Sequence, residues 1–243
     1  MRPRKFRGKV AFKEEGDLAK PQDAEGYASP AMLERRKRIL AEARALVSEK
    51  GLDGWNLNEL GKRAGVARQT LYYAFGSKED VVAAAILDYF DDYERVIPYR
   101  TAIGSIDHMI ERIVAIGHRN LTIRNYVAAL VAIYYGRSPE LWRAMHDVAV
   151  RSHEATVAAL AAEHQLQPWV EPAALAEMMV GQTILVANAW IQQRIPDAAM
   201  IDRMALAVLT ELAGSTREPT RARIEATIRR IVADGAEAYI AAL

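Results

Sequence analysis

The chain has 243 residues, 51% hydrophobic and 26% charged, and no cysteine; it can bury one sizeable core or two smaller ones and offers no disulfide, thiolate nucleophile or cysteine-bound zinc. The net charge of +1 hides a division: residues 1–80 carry 17 Lys/Arg against 12 Asp/Glu, the rest 15 against 19, and every lysine lies at or before Lys78. Either an anionic partner meets the first part alone, or the imbalance is compositional bias.

Residues 1–28 begin with Arg2, Arg4, Lys5, Arg7, Lys9 and Lys13 and pass into a polar, acidic stretch holding Gly16, Pro21 and Gly26. Few apolar anchors and segregated charge predict a mobile basic/polar arm, either attracted to phosphates or merely solubilising. No apolar segment follows the basic start, which argues against a secretory leader. The most apolar stretch, Met178–Ile191, is interrupted by Gln182, Thr183 and Asn188 and reads as too short for a bilayer. A cytoplasmic protein without a membrane partner is expected.

Helical punctuation starts at Ser29-Pro30, an N-cap followed by proline at the first helical position. Ile39, Ala43, Leu46 and Val47 then form an amphipathic stripe that Gly51 ends. Asn56 with Glu59 makes a capping-box pattern, and Ser77 with Asp80 opens a helix that can run to the residue before Pro98. Further helices are expected near 105–118, 121–135, 138–165, 172–194, 197–213 and 220–242, with Ser105 and Ser138-Pro139 as starts and Gly136, Pro168, Pro196 and Gly214 as stops. No alternating strand pattern stands out. The predicted fold is all-α: a unit of three short helices at 29–76, then a larger helical domain at 77–243.

The segment from Asn56 to Phe75 carries the chemistry. Leu57, Leu60 and Ala64 line one face of a short helix, Gly65 allows a reversal, and Leu71 and Phe75 anchor a second short helix on the same core. Arg68, Gln69, Thr70, Tyr72 and Tyr73 are left to project outward. Guanidinium, amide, hydroxyl and phenol groups on one exposed helix suit the major groove of double-stranded DNA: arginine chelates guanine, glutamine pairs with adenine, and hydroxyls bond phosphates. The plainer reading of each polar residue is a solvated surface, and of each tyrosine a partly packed aromatic. The same pair of readings holds for Arg35-Arg36-Lys37-Arg38, a phosphate-attracting run or a solvated helix face.

This segment and its flanks resemble the TetR family of transcriptional regulators, on the leading helix with Ile39–Val47 and Gly51, Ala64-Gly65-Val66, Thr70-Leu71-Tyr72-Tyr73-Ala74-Phe75 and Ser77-Lys78-Glu79-Asp80. The resemblance implies base contacts for Arg68 and Gln69, backbone or base contacts for Thr70, Tyr72 and Tyr73, and a phosphate near Lys78. Asn56 stands where the family has a capping threonine, and Ala67 where serine is frequent.

It further implies a helical ligand-binding and dimerisation domain, in which two long helices, here 172–194 and 197–213, pair with a partner's two in a homodimer. Trp190, Ile191, Met204 and Val208 belong either to that interface or to the chain's own core. A small-molecule effector, largely apolar or aromatic, would sit among Met109, Ile113, Tyr126, Leu130, Tyr134, Trp142, Met145, Met178 and Met179, residues equally suited to plain core. His108, His118 and His146 are polar determinants of a ligand or buried histidines; His146 and His153 lie about 10 Å apart along a helix, too far to chelate a metal by themselves. No metal or cofactor is expected.

Other readings stay open. An enzyme would lack any recognisable GxSxG, HExxH or phosphate-cradling loop, and the acidic run Asp88, Asp91, Asp92 and Glu94 is acid/base machinery or a solvated face. A DNA-binding protein controlled by a protein partner or by abundance is a second alternative. Activation instead of repression is a third.

Overall fold

The computed structural model describes residues 29–243, and the expected arm at 1–28 lies outside the described residues. Eleven helices follow: α1 (Pro30–Lys50), α2 (Leu57–Ala64), α3 (Arg68–Phe75), α4 (Lys78–Val96), α5 (Ile106–Thr122), α6 (Arg124–Tyr134), α7 (Pro139–Ala162), α8 (Pro172–Ile191), α9 (Asp197–Ser215), α10 (Thr220–Asp234) and α11 (Ala236–Ala241). The fold is all-α. Its only β feature among the described residues is an isolated antiparallel bridge between Leu166 and Thr216.

The capping residues explain most of the boundaries. Ser29, Ser105 and Ser138 each accept a bond from a first-turn amide. Ser77 and Asp80 form a complete capping box. At Asn56 only half of that pattern forms: its side chain accepts from the Asn58 and Glu59 amides, while the Glu59 carboxylate turns to Lys50 instead. Two expectations are corrected. The first helix is not short but 21 residues long, because its apolar stripe packs on both α2 and α4. The last helix divides at Gly235, where the freed Ala236 amide donates to Asp202 at 2.8 Å.

Two apolar clusters form the core. One joins Ile39, Leu46, Leu60 and Leu71 to Val81, Ala85, Ile86 and Tyr89 of α4 and continues into Tyr126, Leu130 and Val180. The other gathers α5, α7 and α8 around α9, whose Met200, Ala205, Val208, Leu209 and Leu212 are fully buried. No gap in the core falls at 76/77. Helix α4 begins two residues after α3 ends, and its buried face belongs to the same cluster as Leu71.

Taken from Pro172, α8 is 20 residues long, with a mean hydropathy of 1.3 over an 18-residue window. It is therefore long and apolar enough by length and composition to cross a membrane, where residues 178–191 taken alone fell short. Leu175, Met179, Val180, Ile184, Ala187 and Trp190 bury one face of it, and Met178 and Leu185 remain 48% and 55% exposed.

Candidate nucleic-acid interface

Helices α2 and α3 meet through a turn built on two glycines. Gly65 adopts the left-handed conformation (φ 65°, ψ 38°) and ends α2 with its amide on the Gly61 carbonyl. The Val66 amide donates to the same carbonyl at 2.9 Å. Gly61 lies under this turn: a Cβ there would sit 2.8 Å from the Val66 carbonyl oxygen. Arg38 from α1 donates to the Ala64 carbonyl at 3.0 Å, where the carbonyls at the end of α2 need donors. Arg63 binds Glu42 and Glu49, holding α2 to α1, and these carboxylates raise its pKa further.

Below the turn Leu71 is wholly buried in the same cluster as Leu60 and Leu57, which fixes which side of α3 faces out. Arg68, Gln69, Tyr72 and Tyr73 are exposed, Tyr73 to 95%, and Thr70 is half-buried. The Arg68 guanidinium donates to the Tyr72 hydroxyl at 2.7 Å and lies over its ring, so the two side chains are mutually ordered. Phe75, expected as core, is only half-buried, with the Arg36 guanidinium 4.9 Å from its ring centroid. Lys78 donates to the Trp55 carbonyl at 2.9 Å and lies over the Trp55 ring, so part of its donor capacity is internal. Exposed Asn56 uses its carbonyl oxygen as the α2 cap. The basic run at 35–38 thus divides its roles, with Arg36 and Arg38 bracing the helix pair. The bracing bond of Arg38 and the close approach at Gly61 escaped the sequence reading, because neither a side chain bound to a distant carbonyl nor a close backbone approach leaves a local pattern.

A cavity lies among the helices that follow α3. It has a volume of about 100 Å³ and is bounded by Met109, Ile113, Leu130 and Met145 among the expected residues, and by Phe90, Arg112, Ile116, Asn120, Val127, Val131, Val148, Ser152, His153, Thr183, Ile184 and Met204. The other expected residues lie elsewhere. Tyr126 is buried against Tyr89 in the first cluster, with rings 5.4 Å apart, and burial raises the pKa of its unpartnered hydroxyl. Tyr134 and Trp142 belong to an outer aromatic string in which Trp142 stacks on His146 at 4.3 Å. Met179 is core and Met178 faces outward. His146 meets Glu177, His118 meets Glu237, and His108 contacts Thr101 and Tyr99. The acidic run meets arginines: Asp88 with Arg44, Asp91 with Arg151, Asp92 with Arg95 and Glu94 with Arg112. Among the described residues no group of three or more His, Cys, Asp or Glu is placed to hold a metal.

Residues 39–85 match the family described as "Bacterial regulatory proteins, tetR family". That span holds the whole helix pair and its supporting α1 stripe. Over that span the chain is similar to the tetR-family regulators. Among curated proteins, it is 35% identical over 101 residues to the HTH-type transcriptional regulator UidR of Escherichia coli, covering 40% of this chain and 50% of that one. It is 31% identical over 80 residues to the HTH-type transcriptional regulator HbdR of Aromatoleum, covering 33% and 34%. It is 32% identical over 62 residues to the negative transcriptional regulator IcaR of the biofilm operon of Staphylococcus aureus, covering 26% and 33%. The match thus spans half or less of these relatives' length. The fold likeness extends further. The repressor SmeT of the Stenotrophomonas maltophilia multidrug efflux pump SmeDEF has a TM-score of 0.55 at 22% identity, covering 76% of this chain and 91% of SmeT. The tetR regulator TylP of Streptomyces fradiae has 0.57 at 22%, covering 86% and 99%.

Beyond the matched residues, α8 and α9 present a shared outer groove containing Met178, Leu185, Val186, Leu206 and Ala207. The residues first considered for an interface are placed differently. Trp190 and Val208 are 1% and 0% exposed, and Met204 is buried beside the cavity. Trp190 donates to Asp197 at 2.7 Å under the Arg124 guanidinium, an intrachain clamp on the α8–α9 turn. Ile191 is half-buried against the second cluster. The most apolar positions of a helix pair go to its own core, so an outer face is carried by the next rank of residues.

Proposed function

We propose that this protein is a transcriptional regulator that binds a two-fold symmetric operator in double-stranded DNA as a homodimer and represses from it. The observation that carries the reading is the outer edge of α3, where Arg68, Gln69, Tyr72 and Tyr73 stand exposed above a wholly buried Leu71. One eight-residue helix reads few base pairs; two of them, one helical turn apart at about 34–36 Å, read a palindrome. Asn56 and Lys78 flank α3 as phosphate contacts, and the exposed apolar groove on α8 and α9 is the face for the second copy. Such a regulator works in the cytoplasm, where its DNA is.

Release by a small, largely apolar or aromatic effector in the cavity completes the mechanism. Phe90 of α4 lines that cavity. It lies 12 residues from Lys78, about 18 Å along the helix. Arg44–Asp88 at 2.8 Å and Arg119–Tyr89 at 2.7 Å tie α4 to α1 and α5, so α4 transmits displacement to the DNA-binding end. A SmeT–triclosan complex, with a TM-score of 0.53 at 22% identity, supports the reading that this fold can hold a small molecule. Selection from a random duplex library at fixed salt tests the reading. A palindromic site is expected to emerge, bound by two chains and weakened about 10- to 100-fold by Tyr73→Ala. A well-folded protein that enriches no sequence at low salt refutes it.

A further inference from the structure

Two buried polar atoms on residues that line the cavity have no partner among the described residues: Nη1 of Arg112 and Nδ1 of His153, on residues 9% and 2% exposed. The other nitrogens of Arg112 are engaged, Nε with Glu94 at 2.6 Å and Nη2 with the same oxygen. Glu94 lies on the outward side, where it also accepts from the Tyr99 hydroxyl at 3.0 Å. Arg112 thus lines the cavity and Glu94 does not. No Asp, Glu or Lys lines it, and its remaining wall is mostly aliphatic and thioether. Buried donors and acceptors in native proteins find partners, and a guanidinium is best met by an anion with two acceptor oxygens.

We propose that the ligand of this cavity is a small apolar or aromatic carboxylate, one oxygen accepting from Arg112 Nη1 and the other from the His153 Nδ1–H. The proposal rests on the cavity being the effector site and adds the ligand's chemical class. A cation would be buried beside Arg112 without an acid to balance it, and a hydrocarbon would leave both nitrogens unpaired. His153 suits a donor role: burial and the nearby Arg112 push its pKa down to about 4, so at neutral pH the imidazole holds one proton. A cavity of about 100 Å³ is smaller than the roughly 150 Å³ that admits benzene in an engineered apolar core. The expected body is one six-membered ring or a short chain, seated by modest side-chain movement.

Calorimetry on the full chain compares benzoate, hexanoate and octanoate with their primary amides and with benzylamine. The carboxylates are expected to bind at least tenfold tighter than the amides, the amine not at all, and Arg112→Met to narrow the carboxylate preference to less than threefold. Should that variant fail to fold, the wild-type carboxylate-to-amide ratio decides alone. Amides that bind as tightly, or carboxylates that do not bind, overturn the assignment. Operator binding by the same preparation, without ligand, separates this from the regulator reading: duplex binding intact with no carboxylate preference refutes the class alone. Loss of all duplex binding refutes the regulator and leaves the calorimetric result standing.

Discussion

At Gly61, alanine would ordinarily help, since glycine inside a helix costs about 0.5–1 kcal/mol relative to alanine. Here the new Cβ meets the Val66 carbonyl oxygen at 2.8 Å, and backbone cannot rotate away as a side chain does. Gly61→Ala is therefore expected to destabilise by about 1–3 kcal/mol in thermal melts and to weaken DNA binding by shifting α3. An unchanged melting temperature would contradict the close turn. Buried His153 gives a second check. Its pKa, near 6.5 when unfolded, is pushed down to about 4 in the fold. Between those values the unfolded chain binds more protons, so stability present above pH 6.5 is lost as pH falls toward 4. His153→Phe is expected to flatten that part of a denaturant-stability profile, and an unaltered slope would argue against a buried neutral imidazole.

The same contrast between pattern and placement runs through the helices. Their existence and most of their ends were legible because Ser29, Ser77, Ser105 and Ser138 name caps in plain sequence. The exposed edge of α3 was legible too, since Leu71 and Leu60 leave few ways to turn an eight-residue helix. What faces the cavity was not. Met109 and Tyr126 are both apolar and buried in helical periods, yet one meets a void and the other a packed ring. That difference is set by how α5, α6 and α7 cross, which local spacing does not encode. Capping leads to an element-scale prediction: Ser77→Ala removes the box at the start of α4 and should cost about 1 kcal/mol. It should also loosen α3 in hydrogen exchange, and equal protection in both proteins would show that α4 is not anchored there.

For the whole molecule, the central claim is a symmetric dimer that reads DNA through two copies of α3. The outer face of α8 and α9 retains exposed Leu185, a position with no role in the chain's own core. Leu185→Asp is expected to yield monomers in sedimentation without lowering the melting temperature of the protomer's core, and to weaken operator binding. A variant that stays dimeric would move the interface elsewhere. The most direct measurement repeats the duplex selection with Arg68→Ala and Gln69→Ala beside the unaltered protein. If α3 reads bases, at least one variant relaxes the preference at one position in each half-site, symmetrically, with about 1–3 kcal/mol of discrimination lost there. The same enriched site, bound with the same affinity by all three proteins, would contradict the account.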